Sequence, residues 1–145
     1  MRRISTRGPS LARSPDLARL QRRLMAIPEA VKRELRPTLE KSADEVVTMA
    51  RRLAPVDDGT LRASIRREPG DHDLEVRVEA GGEATTREVR RGSGVDYDYA
   101  LAVEYGTIDT PAQPFFWPAY RLSSKRIKSR AKRAISKAVK RTQKG

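Results

Sequence analysis

Leu17, Leu20, Leu24, Ile27, Val31, Leu35, Leu39, Ala43, Val46, Ala50 and Leu53 form one apolar series through the first third of the chain. The series covers 36 residues in ten steps, a mean of 3.6, which is the period of an α-helix. A stripe this long and regular is more often packed against the chain's own sheet or a neighbouring subunit than used for chemistry, so it constrains the fold more than any other feature. Ser14-Pro15-Asp16 supplies a helix start: a capping hydroxyl, a proline suited to the first turn and an acid at the positive helix end. The stripe stays in phase across Pro28 and Pro37, each of which removes a helical hydrogen bond and clashes with the turn before it. A kinked helix or two or three short helices nearly in line both fit. The break is expected near Pro28 or Pro37, with Thr38 to Leu53 the firmest part.

Ala54-Pro55 and Asp57-Asp58-Gly59 end the helix, and Asp side chains bond nearby backbone N–H groups to cap such a turn. Thr60 to Arg67 reads as a strand with Leu61, Ala63 and Ile65 on one face. After the turn residues Glu68-Pro69-Gly70-Asp71, Leu74, Val76 and Val78 alternate with Glu75, Arg77 and Glu79, a half-buried strand. Together they predict an antiparallel hairpin. Residues 80–96, with Gly81-Gly82 and Gly92-Ser93-Gly94, fit a projecting β-hairpin or a mobile loop. Tyr97 to Tyr105 permits a short helix ended by Gly106-Thr107. Pro111 and Pro114 hold the next stretch extended and aim Phe115, Phe116 and Trp117. Pro118 stands near the start of a last helix running to about Arg141, with Ile127, Ala131, Ala134, Ile135, Ala138 and Val139 on its apolar face. The fold class is α+β: a long kinked N-terminal helix packed on a small antiparallel sheet, with a basic C-terminal helix. With 145 residues there is room for one ordinary core. The organisation expected is a flexible basic arm over residues 1–13 and a single domain over 14–145.

All seven Phe, Trp and Tyr residues lie between Tyr97 and Tyr120, so the core or an interface is built there. Phe115, Phe116 and Trp117 are adjacent, and at least one is expected to face outward or toward a neighbour, where aromatic anchors carry much of the binding energy. The alternative is that all three wrap round the end of the sheet.

The net charge of +12 belongs to the ends. Residues 1–13 hold four Arg and no acid, and residues 121–145 hold eleven Lys or Arg and no acid; the 107 between hold 16 basic and 19 acidic groups. Such ends suit nucleic acid, an acidic protein surface or an anionic membrane, or simply form a solvated surface. Backbone attraction is the extent of the nucleic-acid signal, since the last helix has no interleaved aromatics for base stacking and no DNA-reading motif is present. No apolar run approaches the ~20 residues of a membrane span, and the N-terminus lacks the apolar stretch of a signal peptide. Cysteine is absent, which excludes disulfides, thiolate nucleophiles and cysteine metal sites.

Enzymatic constellations are scarce. His72, the one histidine, sits between Asp71 and Asp73 in a turn, where exposure is the plainer reading than a metal site. Asp57, Asp58 and Glu104 could pair as carboxylates, but the two aspartates read better as caps. There is no Gly-rich phosphate loop, nucleophile elbow or metal-binding helix motif. No catalytic residues, metal or cofactors are expected.

Three stretches in order carry a resemblance: Ala50 to Ile65, Tyr99-Ala100 with Val103-Glu104-Tyr105-Gly106-Thr107, and Gln113-Pro114-Phe115-Phe116-Trp117-Pro118-Ala119. Over roughly residues 40–140 the chain resembles the tail-completion or neck family of long-tailed phages, typified by the tenth gene product of phage Hong Kong 97. Asp58 stands where that family usually has Thr, and residues 81–96 look longer than its usual link. The resemblance implies a small α+β structural protein at the virion head–tail junction, assembled in the bacterial cytoplasm. It implies a ring, hexameric to match the tail tube, that completes the tail and joins it to the head connector, with no membrane partner. The subunit interface expected is Glu104, Tyr105, Phe115, Phe116 and Trp117. Contact with DNA in the channel, or with an acidic neighbour, is expected at Lys125, Arg126, Lys128, Arg130, Lys132 and Arg133. The alternatives are a tail terminator capping the tube and a nucleic-acid-binding module.

Overall fold

The computed structural model describes residues 15–144, and the expected basic arm and the Ser14 cap lie outside them. Helix α1 (Pro15–Met25) opens on Pro15. The break falls at Pro28, and α2 (Glu29–Leu53) then runs unbroken through Pro37. Pro37 and Arg33, whose carbonyl loses its usual donor, both lie on the exposed side, so water can serve that carbonyl and the helix continues. Along α2 the stripe is buried as its spacing requires at Val31, Leu35, Ala43, Val46 and Ala50. It ends early: Leu53 is exposed and Ala54 takes the core position beyond it.

Beyond Gly59 the expected strand is corrected. Thr60–Ser64 is a short helix, α3, and only β1 (Arg66–Pro69) is extended. The Asp58 carboxylate accepts from the Thr60 amide at 2.9 Å, a local bond that favours a helical first turn over a strand. Leu61 and Ile65, four apart, are both buried while Ala63 is exposed, which is helical and not alternating geometry. β1 pairs antiparallel with β2 (Val76–Glu79), Arg66 opposite Glu79 and Pro69 opposite Val76, so the expected hairpin stands in shortened form. Residues 80–96 contribute a second hairpin: β3 (Thr86–Glu88) pairs antiparallel with β4 (Asp96–Asp98). The two sheets have two strands each and are separate. α4 (Tyr99–Tyr105) follows at once, ended by Gly106, and α5 (Phe116–Lys144) closes the chain.

The main core cluster joins Val47, Ala50 and Ala54 of α2 and its end to Leu61, Ile65, Ala100, Phe115 and Ala119. Two arginines sew this junction to backbone. Arg51 donates twice to the Ile65 carbonyl, at 3.1 and 2.7 Å, and Arg62 donates twice to the Ala54 carbonyl, at 3.2 Å each. α5 runs antiparallel to α2: Arg126 and Arg130 reach Glu45, whereas Arg141, further along, reaches the earlier Glu34. Its inward face uses small residues, Ser123, Ala131, Ala134 and Ala138, which let the helices approach closely. The expected apolar face is therefore narrower than read, because Ile135 and Val139 are exposed.

A buried carboxylate and an exposed aromatic ledge

The start of α5 is organised by a residue twelve positions upstream. Asp98 begins α4 by accepting from the Ala100 amide at 2.9 Å, and Glu104, six residues on, is buried. Glu104 is 7% exposed. One of its oxygens accepts from the amides of Phe115 (2.8 Å) and Phe116 (2.9 Å), and the other from Trp117 (3.1 Å). A helix leaves its first N–H groups without intrahelical partners. Here Glu104 satisfies them from another element and sets a negative charge at the positive helix end. Pro118 costs nothing in the first turn, as it brings no N–H to satisfy.

The connecting loop is equally tight. Gly106 caps α4 at φ +77°, and a Cβ there would lie 2.8 Å from the Ala112 nitrogen, so glycine is required on two counts. Gln113 returns its amide to the Val103 carbonyl at 2.7 Å, and Thr107 closes on Thr110 at 2.8 Å. Asp98 also anchors the second hairpin, accepting from the Thr85 hydroxyl at 2.7 Å and the Gly82 amide at 2.8 Å.

These contacts sort the five expected interface residues. Glu104 and Phe115 are buried inside the subunit, and Phe116 is half-buried. Tyr105 and Trp117 are exposed, 65% and 46%, and the Trp117 indole donates to the Tyr105 hydroxyl at 2.8 Å. Phe115, Phe116, Trp117 and Tyr120 form a chain of edge-to-face contacts leading from the core to the surface. Phe116 and Trp117 lie in the first turn of α5 rather than in the extended segment expected, since Glu104 supplies the cap that lets the helix begin there. Together they divide two grooves. One, about 560 Å³, opens toward Gly81, Leu101 and Tyr105; the other, about 390 Å³, opens toward Val46, Val76 and Ile127. Leu101, Ile108 and Leu122 are further exposed apolar residues of these elements. Sequence reasoning missed Leu101; its place one turn before Tyr105 on α4 was the available signal.

The six expected cations are also divided. Arg130 donates to Ser42 at 3.0 Å and to Glu45 at 2.8 Å, and Arg126 pairs with Glu45, so both fasten α5 to α2. Lys125, Lys128, Lys132 and Arg133 are exposed, with no ion pair among the described residues. Asp57 is exposed while Glu104 is buried, and His72 contacts Glu75 at 3.4 Å. Among the described residues there is no cluster able to hold a metal ion, and no helix is long and apolar enough to cross a membrane.

Residues 18–106 match a family model described as "Bacteriophage HK97-gp10, putative tail-component". The match takes in α2, both hairpins and α4 with Glu104, and stops at Gly106, before the aromatic ledge is complete. Neither a curated protein nor a solved structure gives a match.

Proposed function

The chain belongs to the HK97-gp10-like family of phage tail components, and from that premise we propose that it is a non-enzymatic ring subunit at the head–tail junction. In this reading the ring, a hexamer matching tail-tube symmetry, completes the head-proximal end of the tail and joins it to the head connector. The observation that carries the interface half of the reading is the Tyr105–Trp117 pair. It is apolar and exposed, yet it is fixed in position by the buried Glu104 bonds behind it. Rigid aromatics standing on a surface, flanked by grooves, are the anatomy of an interface anchor. The occupant proposed for those grooves is a second copy of this chain. Glu104 and Phe115 serve the interface from within, by holding the ledge in place.

Electron microscopy of particles made without the gene tests this. Filled heads beside separate tails of normal length are expected. Overlong tubes would replace the reading with a tail terminator, and intact infectious particles would remove the protein from the junction.

A further inference from the structure

We propose that the outward face of α5 is a contact for the backbone phosphates of duplex DNA, made without regard to base sequence. Three of the eleven cations in residues 121–145 are committed to the fold, Arg126 and Arg130 on Glu45 and Arg141 on Glu34. The other eight are exposed and fall into two rows. Arg121, Lys125, Lys128 and Lys132 are spaced by four, three and four residues, and so are Arg133, Lys137, Lys140 and Lys144. That spacing aligns each set along one side of a helix. Each row is about 16 Å long at ~1.5 Å per residue. No acid interrupts either row, so the field along each row sums without cancellation.

The composition of the rows favours phosphate over an acidic protein. Six of the eight are lysine, which is depleted from protein–protein interfaces, whereas aromatic and arginine anchors are enriched there. Lysine contacts phosphate as a point charge on a flexible stem, without bidentate readout. Ser124, Ser129 and Ser136 lie among the rows, and nothing there carries an aromatic ring to stack on a base. This inference rests on the junction reading, in which DNA must pass the ring.

The test is fluorescence anisotropy of the full-length protein with two unrelated 30-base-pair duplexes across a salt series. Similar affinities are expected for both duplexes, with a slope of log K against log salt near −7 if all eight cations engage, at ~0.9 per phosphate. Changing Arg121, Lys125, Lys128 and Lys132 to Gln, or Arg133, Lys137, Lys140 and Lys144 to Gln, should flatten the slope by about 3–4 in each case. The helical circular-dichroism signal should persist, as these side chains are exposed. Residues 1–13 are unchanged in both variants, so the change in slope reports the helix. Slopes unmoved in both variants, or row variants that fail to join heads to tails while the parent protein leaves DNA unbound, would overturn the DNA contact; the latter would make an acidic protein the partner. A gene deletion that leaves particles infectious would instead remove the junction reading and leave the measured slope standing.

Discussion

The two ends of α5 are held by different physics. Its start is set by burial and by hydrogen bonds with one geometry: Phe115 and Ala119 are in the core and Glu104 holds three successive amides. Beyond its first two turns the helix is held by a narrow face of small residues and by arginine–glutamate pairs, Arg126 and Arg130 on Glu45 and Arg141 on Glu34. The first arrangement is intolerant of displacement, since an unsatisfied buried N–H costs far more than a bond contributes. The second tolerates it, because partly exposed ion pairs contribute little and reform easily. One helix thus carries exposed aromatics on a firmly held first turn and exposed cations along the rest of its length.

The strongest way to break this contrast is at Phe115. Phe115→Ala deletes a ring that is 1% exposed, and such a truncation costs about 3–5 kcal/mol. Urea unfolding should show that loss. A change under about 0.5 kcal/mol, the usual range for a surface substitution, would mean the start of α5 is no more tightly built than the rest of the helix. Glu104→Gln keeps the shape but leaves one oxygen where two oxygens serve three amides, and turns an NH₂ toward donors. A loss of about 2 kcal/mol is expected, together with weaker ring formation by native mass spectrometry. A stable variant that still forms rings would sever the carboxylate from the ledge.

Gly106→Ala tests the loop that lets Glu104 reach its targets. Both the left-handed backbone and the close Ala112 nitrogen oppose a side chain, so a loss of about 1–3 kcal/mol is expected by the same unfolding assay. A gain in stability would show that the loop relaxes freely and that the tight approach is incidental.

The helical stripe was legible because eleven positions across α1 and α2, seven of them in α2, share one period, and a period survives the loss of single members, as it does at Leu20 and Leu53. The strand expected over Thr60 to Arg67 was not. Leu61, Ala63 and Ile65 satisfy alternation, while Leu61 and Ile65 alone satisfy a helix, and five residues cannot decide between the two. The Asp58 bond to the Thr60 amide, a contact two residues long, favours the helix. The aromatic cluster was recognisable as a centre. Which ring faces inward was not, because that depends on Glu104 capping a helix that starts twelve residues away, and no local capping residue marks the helix start. The basic helix was equally plain as a charge run. Separating its fold-bound arginines from its free lysines needed the positions of Glu34 and Glu45 on the facing helix.

The smallest effect is expected at Glu45, on the distal side of the contrast. The hydrogen bond from Arg130, aided by the charges of Arg126 and Arg130, holds the Glu45 carboxyl below the usual carboxylate range, against a weaker push upward from burial. A carboxyl whose value is lowered on folding binds its proton more readily in the unfolded chain. Its contribution is therefore fully present above the ordinary carboxylate value and is lost as the pH falls through the lowered one. The magnitude should be under about 1 kcal/mol, as for other partly exposed pairs. Glu45→Gln should lower stability by that amount at neutral pH and by progressively less in acid, so that variant and parent unfolding curves converge. If the difference stayed constant with pH, the charge of Glu45 would have no part in holding α5 to α2. If it reached several kcal/mol, the distal seam would be as exacting as the helix start, and the contrast between the two ends would fail.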